Sequence, residues 1–229
     1  MIKGMVFDLD DTVYDYQSCN QYAVSRLGQY CMDKFCIPKK EFDTIYERSK
    51  NIVKERLQNT AASHNRMLYM QTFLEQMLQR PAVCALELYH IYWDTMLKAM
   101  ELYDYVLPLF RELVSQGIQI AVLTDLTAQI QHRKMIRLGI AEYVDVLVTS
   151  EEAGKEKPDP AMFELVIQKL QLHPEQLVMV GDSFEKDIEG AKLAGMHGIL
   201  YSREKEDTII RECMELIGNE AQREQGKKG

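Results

Sequence analysis

The sequence predicts an α/β protein: a parallel sheet with helices on both faces, interrupted by an all-helical insertion. Two patterns and one short stretch predict it. From residue 104 onward, short apolar runs alternate with amphipathic segments, as strands joined by helical crossovers do. Between residues 15 and 103 the apolar residues recur at helical intervals, and no convincing strand interrupts them. At the start, MVFDLDDTVY (residues 5–14) is an apolar, β-prone run that ends in three carboxylates, Asp8, Asp10 and Asp11, followed by Thr12.

The insertion begins directly after that stretch. Tyr22, Leu27, Tyr30, Cys31 and Phe35 mark a first helix, which Pro38 breaks. Phe42, Ile45, Tyr46, Ile52 and Val53 place a second over residues 39–59, and Leu68, Phe73, Leu74, Met77 and Leu78 a third over 65–79. An aromatic-rich fourth covers 83–100. The expected domains are therefore a core of residues 1–14 and 104–229 and a helical domain of residues 15–103. In the core, residues 104–117 are amphipathic through Val106, Leu109, Phe110, Leu113 and Val114, with Gly117 placed to end the helix. IQIAVLT (118–124) reads as a strand, 127–138 as a helix stopped by Gly139, and VDVLVT (144–149) as a strand. Asp159 and Pro160 open a further helix whose stripe is Phe163, Val166, Ile167 and Leu170. QLVMVG (176–181), a helix over 185–194 and GILY (198–201) complete a Rossmann-like alternation. From Arg203, mixed charges around Ile209, Ile210, Met214 and Ile217 read as a surface helix with a frayed end at GKKG.

With 229 residues, 46% of them hydrophobic and 27% charged, the chain falls among folded globular proteins of one domain with a large insertion, or of two small domains. A formal net charge of −8 argues against nucleic acid as a main partner, since phosphate backbones are held by basic faces. A small anionic substrate is compatible with that charge if cations focus at one site. No apolar run approaches the roughly 18–20 residues that span a bilayer, so no membrane partner is expected. MIKGMVF is too short for a secretory signal, which makes a cytoplasmic location the expectation. The five cysteines, Cys19, Cys31, Cys36, Cys84 and Cys213, are odd in number and form no CxxC; they read as small buried apolar residues.

The chemistry concentrates where apolar runs stop. Side chains alternate along a strand, so Asp8 and Asp10 share a face. Such a pair holds a divalent cation, divides nucleophilic and proton-transfer roles, or simply leads an acidic strand end into a turn. A calcium loop is excluded: its turn glycine position is Val13 and its bidentate glutamate position is Cys19. Asp8, Thr124 and Asp182 each end a strand run, and ligands of open parallel sheets bind beyond those carboxyl ends.

In order along the chain, FDLDDT, then LTDLT ending at Thr127, then EKPDP and VMVGDSFEKD resemble the four motifs of the haloacid dehalogenase superfamily, outside the insertion. The insertion in turn resembles that superfamily's helical cap, which closes over the site and contacts the leaving group. The resemblance implies a Mg²⁺-dependent phosphatase of a small phosphorylated metabolite, such as a sugar phosphate or nucleoside monophosphate, acting as a monomer or homodimer. It implies that Asp8 is the nucleophile that becomes an aspartyl phosphate and that Asp10 is the acid and base. Thr124 and Lys157 would contact the phosphoryl group. Mg²⁺ would be held by Asp8, Asp182 and the Asp10 backbone carbonyl, with Asp187 beside them. A phosphomutase of the β-phosphoglucomutase type shares the paired carboxylates, and a non-catalytic binding protein on the same fold is the remaining alternative. Dehalogenases of the superfamily lack the second carboxylate, so Asp10 argues against that reaction. The resemblance departs at Asp125, often a neutral residue there; its backbone N–H is expected to bind phosphate with the carboxylate turned away. Thr12 is expected to bond its own turn. In the insertion, Arg66 is a candidate grip on the substrate, or else part of a solvated first turn. Tyr14 and Tyr16 lie at the entrance to the cap.

Overall fold

The computed structural model describes residues 1–58, 60–78 and 85–226. The chain forms two compact units, Met1–Asp15 with Glu101–Gly229, and Tyr16–Met100. The first boundary lies one residue later, and the second three residues earlier, than the sequence places them. The cause is local. Tyr14 pairs with Leu102 in an isolated antiparallel bridge, and the Tyr103 N–H donates to the Val13 carbonyl at 3.0 Å, so the returning chain rejoins the first unit before residue 104.

Strand β1 (Gly4–Phe7) precedes the helical unit, which contains α1 (Tyr16–Phe35), α2 (Lys39–Leu57), α3 (Arg66–Leu78) and α4 (Ala85–Ala99), with a short 3₁₀ turn at Ala61–His64. Residues 59, 79, 83 and 84 of the expected helices, and with them Cys84, lie outside the described residues. Helix α1 packs on α4, and α2 on α3. A Cβ at Gly28 would sit 2.8 Å from the Phe42 ring, so the missing side chain lets α1 and α2 approach closely. Phe42 in turn stacks on Tyr46 and meets Phe73 edge-on, both at 5.5 Å between centroids; burying one such ring contributes about 1.5–3 kcal/mol.

The sheet unit continues through α5 (Val106–Ser115), β2 (Gln119–Thr124), α6 (Ala128–Leu138), β3 (Val146–Thr149), α7 (Ser150–Ala153), α8 (Pro160–Leu170) and β4 (Leu177–Gly181). A π-helical turn, Phe184–Glu189, runs into α9 (Gly190–Leu193), followed by β5 (His197–Leu200) and α10 (Glu206–Gly226). All five strands are parallel, in the order β3-β2-β1-β4-β5. Successive residues of β1 face opposite layers, as the strand period requires. Val6 packs with Met162, Phe163 and Val166 of α8, whereas Phe7 meets Phe110 of α5 at 4.8 Å between ring centroids. Helix α8 starts where Asp159 Oδ1 accepts the Ala161 N–H at 3.0 Å, with Pro160 as its first residue. Two elements differ from the sequence reading. The helix expected over 185–194 is split, its first part wound wide, and α7 is an extra turn that the Thr149 hydroxyl caps. Cys36 is exposed, so the reading of buried cysteines fails there; Cys19, Cys31 and Cys213 are buried. Among the described residues no helix is long and apolar enough to cross a membrane.

Candidate active site

The strand order reverses direction at β1: the chain builds outward through β2 and β3, then crosses back to add β4 and β5 on the other edge. The crevice at such a reversal is where open α/β sheets bind ligands. Phe7 is level with Val122 and with Val180, so the carboxyl ends of β1, β2 and β4 bring their terminal and following residues together. These are Asp8 and Asp10, Thr124 and Asp125, and Asp182.

Lys157 joins the cluster. Its Nζ donates to Asp8 Oδ1 at 2.7 Å and to Asp187 Oδ1 at 2.6 Å, and its side chain is only 3% exposed. Asp187 reaches this place from the wide π-helical turn, where its Oδ2 accepts the Ser183 N–H at 3.0 Å. A Cβ at Gly181 would lie 2.3 Å from Asp187 Oδ2, so only glycine at the end of β4 leaves room for that carboxylate. Thr12 departs from expectation. Its hydroxyl accepts the Asp182 N–H at 3.1 Å instead of bonding its own turn, which ties the loop after β1 to the loop after β4.

Asp8, Asp182 and Asp187 can each offer an oxygen within 4.8 Å of the others. Two like charges about 4 Å apart repel by about 4 kcal/mol at an effective dielectric of 20, and Lys157 is a single positive charge among three negative ones. The consequence is visible in the acidities. Burial raises the Asp8 carboxyl well above the ordinary carboxylate range, against the attraction of Lys157 and with the repulsion of Asp187. Asp182 is pushed up to about 6, first by burial and then by Asp187. Burial alone would lower Lys157, but Asp187 and Asp8 outweigh it and hold the ammonium form firmly. An all-oxygen, net-negative donor set of this kind fits a small hard divalent cation.

The second pair of strand-end residues is held by α6. Gln131 Nε2 donates to Thr124 Oγ1 at 2.7 Å and to the Asp125 carbonyl at 2.6 Å. Lys134 Nζ binds both oxygens of Asp10, at 2.6 and 2.8 Å, and Tyr14 Oη donates to Asp10 Oδ1 at 2.6 Å. Sequence reasoning passed over Gln131 and Lys134, although a signal existed. They lie three apart on the stripe that buries Ile130, Met135 and Leu138, where polar residues demand partners. The Asp125 carboxylate accepts the Lys157 backbone N–H at 3.0 Å and pairs with Lys186 at 3.1 Å. Leu126, next along, holds φ at 99°, a conformation that costs a non-glycine residue about 1–3 kcal/mol. Ser150 Oγ fastens it by accepting the Leu126 N–H at 2.8 Å.

Arg66 requires a correction. It is not part of a solvated first turn: it is 7% exposed, its guanidinium donates to the hydroxyls of Tyr16 and Tyr92 and to the His64 carbonyl, and the rings of Tyr69, Tyr92 and Trp93 surround it at 5.5–5.7 Å. With all three nitrogens engaged inside the helical unit, its position is that of an internal clamp, not of a free grip on substrate. Tyr14 and Tyr16, adjacent in the sequence reading, thus serve different units.

A family model for haloacid dehalogenase-like hydrolases matches residues 2–195. A ribulose-1,5-bisphosphate 5-phosphatase of Halopiger xanaduensis is 38% identical over 90% of this chain and 87% of its own length. A glyceraldehyde 3-phosphate phosphatase of Methanopyrus kandleri is 32% identical over 90% of this chain and 86% of its own. Among solved structures, a 2-haloacid dehalogenase of Pseudomonas syringae is similar with a TM-score of 0.70 and 25% identity, over 88% of this chain and 86% of that one.

Proposed function

Because the chain belongs to the haloacid dehalogenase-like hydrolase family, we propose that it is a phosphatase of small sugar phosphates, working through a phosphorylated Asp8. The observation that carries this reading is Lys157 Nζ held between Asp8 and Asp187 at the reversal of the sheet. That arrangement keeps one carboxylate close to a fixed cation while a second carboxylate, Asp10, stands apart on its own support. Asp10 favours ester hydrolysis over dehalogenation, since a departing alkoxide needs a proton and a departing halide does not. The two curated relatives are both named as phosphatases of phosphorylated sugars, which supports the substrate class.

Asp8 attacks phosphorus, the bond to the leaving oxygen breaks, and Asp10 delivers a proton to that oxygen. Asp10 then takes a proton from the water that attacks the aspartyl phosphate, which releases inorganic phosphate and restores Asp8. Lys157 offsets the charge spread over the phosphoryl oxygens, and Thr124 and the Asp125 backbone N–H offer it hydrogen bonds. The Asp125 carboxylate does separate work, holding the Lys157 backbone and Lys186. Mg²⁺, held by Asp8, Asp182 and the Asp10 carbonyl with Asp187 beside them, would neutralise phosphate charge among these acids.

A phosphate-release panel of sugar phosphates, triose phosphates and nucleoside monophosphates, with and without Mg²⁺, tests the reading. Release that requires Mg²⁺ and disappears in Asp8→Asn is expected. Release that survives chelation, or survives that substitution, contradicts it. A phosphoryl group that moves to another position of the same sugar would identify a mutase.

A further inference from the structure

We propose that Lys134 is a positioning residue for the reaction: with Tyr14, it fixes the direction in which Asp10 presents its carboxyl group to the leaving oxygen. The inference rests on the acid and base role given to Asp10 above, and adds the part of the protein that makes that role geometrically possible.

Asp10 stands outside the Asp8, Asp182 and Asp187 cluster, and its side chain is 27% exposed, so its orientation depends on the groups that hold it. Two side chains hold it. Lys134 lies on α6, with a side chain that is fully buried, and its Nζ spans both carboxylate oxygens at 2.6 and 2.8 Å. Tyr14, buried under the returning chain, donates to Oδ1 at 2.6 Å. The lysine also lies 5.8 Å from the Tyr14 ring centroid, so the two supports brace each other. A three-point hold of this kind fixes both the rotamer and the plane of the carboxyl group.

The same face of α6 addresses a second site residue. One turn before Lys134, Gln131 donates to Thr124 Oγ1 and to the Asp125 carbonyl. A carbonyl accepts only from a donor, which identifies the amide nitrogen as the atom facing both. Thr124 Oγ1 thus accepts from Gln131 while its own hydrogen is directed at the Asp125 carbonyl at 3.3 Å. One helix face thus sets the direction of two groups that emerge from different strands. A surface lysine forming an ordinary ion pair would contribute about 0–1 kcal/mol. A buried one whose charge is spent on the reacting acid makes more sense as alignment, since a misplacement of about 1 Å costs on the order of 100-fold in rate.

The test compares leaving groups. An aryl phosphate with an acidic phenol, p-nitrophenyl phosphate, expels its leaving group without a proton, whereas glycerol phosphate does not. In the Mg²⁺-loaded enzyme, Lys134→Met is expected to lower kcat/KM for glycerol phosphate on the order of 100-fold and for p-nitrophenyl phosphate less than about 3-fold. For the aryl ester, kcat and KM are expected to fall together, because attack of water on the aspartyl phosphate still needs Asp10. Tyr14→Phe, which removes one oxygen and keeps the ring, is expected to show the same split at about 10-fold, and it decides the matter should Lys134→Met fail to fold. Equal losses on both esters in a folded variant, or no loss on either, overturn the role of Lys134 and leave the phosphatase reading standing. A wild-type enzyme inactive on both esters and on the metabolite panel removes that reading and this inference with it.

Discussion

Both units bury cations, and Lys157 of the sheet unit and Arg66 of the helical unit are handled differently. Lys157 is surrounded by carboxylates, with Asp8 and Asp187 both within 2.7 Å. Arg66 is surrounded by neutral groups: two tyrosine hydroxyls, a backbone carbonyl and three aromatic rings. A buried charge set against other charges leaves a site out of balance, where burial first and the repulsion of Asp187 after it make Asp8 and Asp182 weaker acids. A buried charge solvated by neutral dipoles is already satisfied and serves the packing. The comparison therefore separates chemistry from architecture without appeal to where either residue falls in the sequence.

The strongest way to break the comparison is to remove each cation in turn. Lys157→Met is expected to lower kcat at least about 10³-fold, because the phosphoryl oxygens lose a fixed positive charge in a buried site. Arg66→Ala is expected to cost about 2–4 kcal/mol of stability by leaving the hydroxyls of Tyr16 and Tyr92 without their donor and a cavity among the rings. Its kcat/KM values on sugar and aryl phosphates should keep their ratio. An Arg66→Ala enzyme with an unchanged melting temperature and a selective loss on sugar phosphates would restore Arg66 as a substrate contact.

The smallest effect concerns pH. Asp182, near 6 in the folded protein against an ordinary value near 4, binds more protons folded than unfolded between those values. Stability from this group is therefore present below about 4 and lost as pH rises through about 6. Chelator-treated protein should melt at a lower temperature at pH 7 than at pH 5, and Mg²⁺ should raise the melting temperature more at pH 7, where Asp182 is ionised. An equal Mg²⁺ effect at both values would mean that Asp182 does not take part.

Much of the sheet unit was legible because its strands end where their chemistry begins. Apolar runs stop at Asp8, Thr124 and Asp182, and the helix start at Asp159 and Pro160 carries its own capping signal. The helical unit was legible from periodicity alone. What periodicity cannot carry is partnership between distant segments. Thr12 looks like a turn residue until β4 places the Asp182 N–H above it. Gln131 and Lys134 look like ordinary helix polars until β1 and β2 bring Asp10 and Thr124 to the same helix face. Arg66 looks solvated at a helix start because the rings that enclose it come from α3 and α4, Tyr69, Tyr92 and Trp93. Its closest hydroxyl partner, Tyr16, lies fifty positions away.

Acid quenching during turnover reads directly whether Asp8 accepts the phosphoryl group. Enzyme mixed with Mg²⁺ and its best sugar phosphate, quenched within the first turnovers and digested, should carry one phosphoryl group on the peptide that contains Asp8, and none in Asp8→Asn. Steady turnover with that peptide unmodified at every quench time would contradict it.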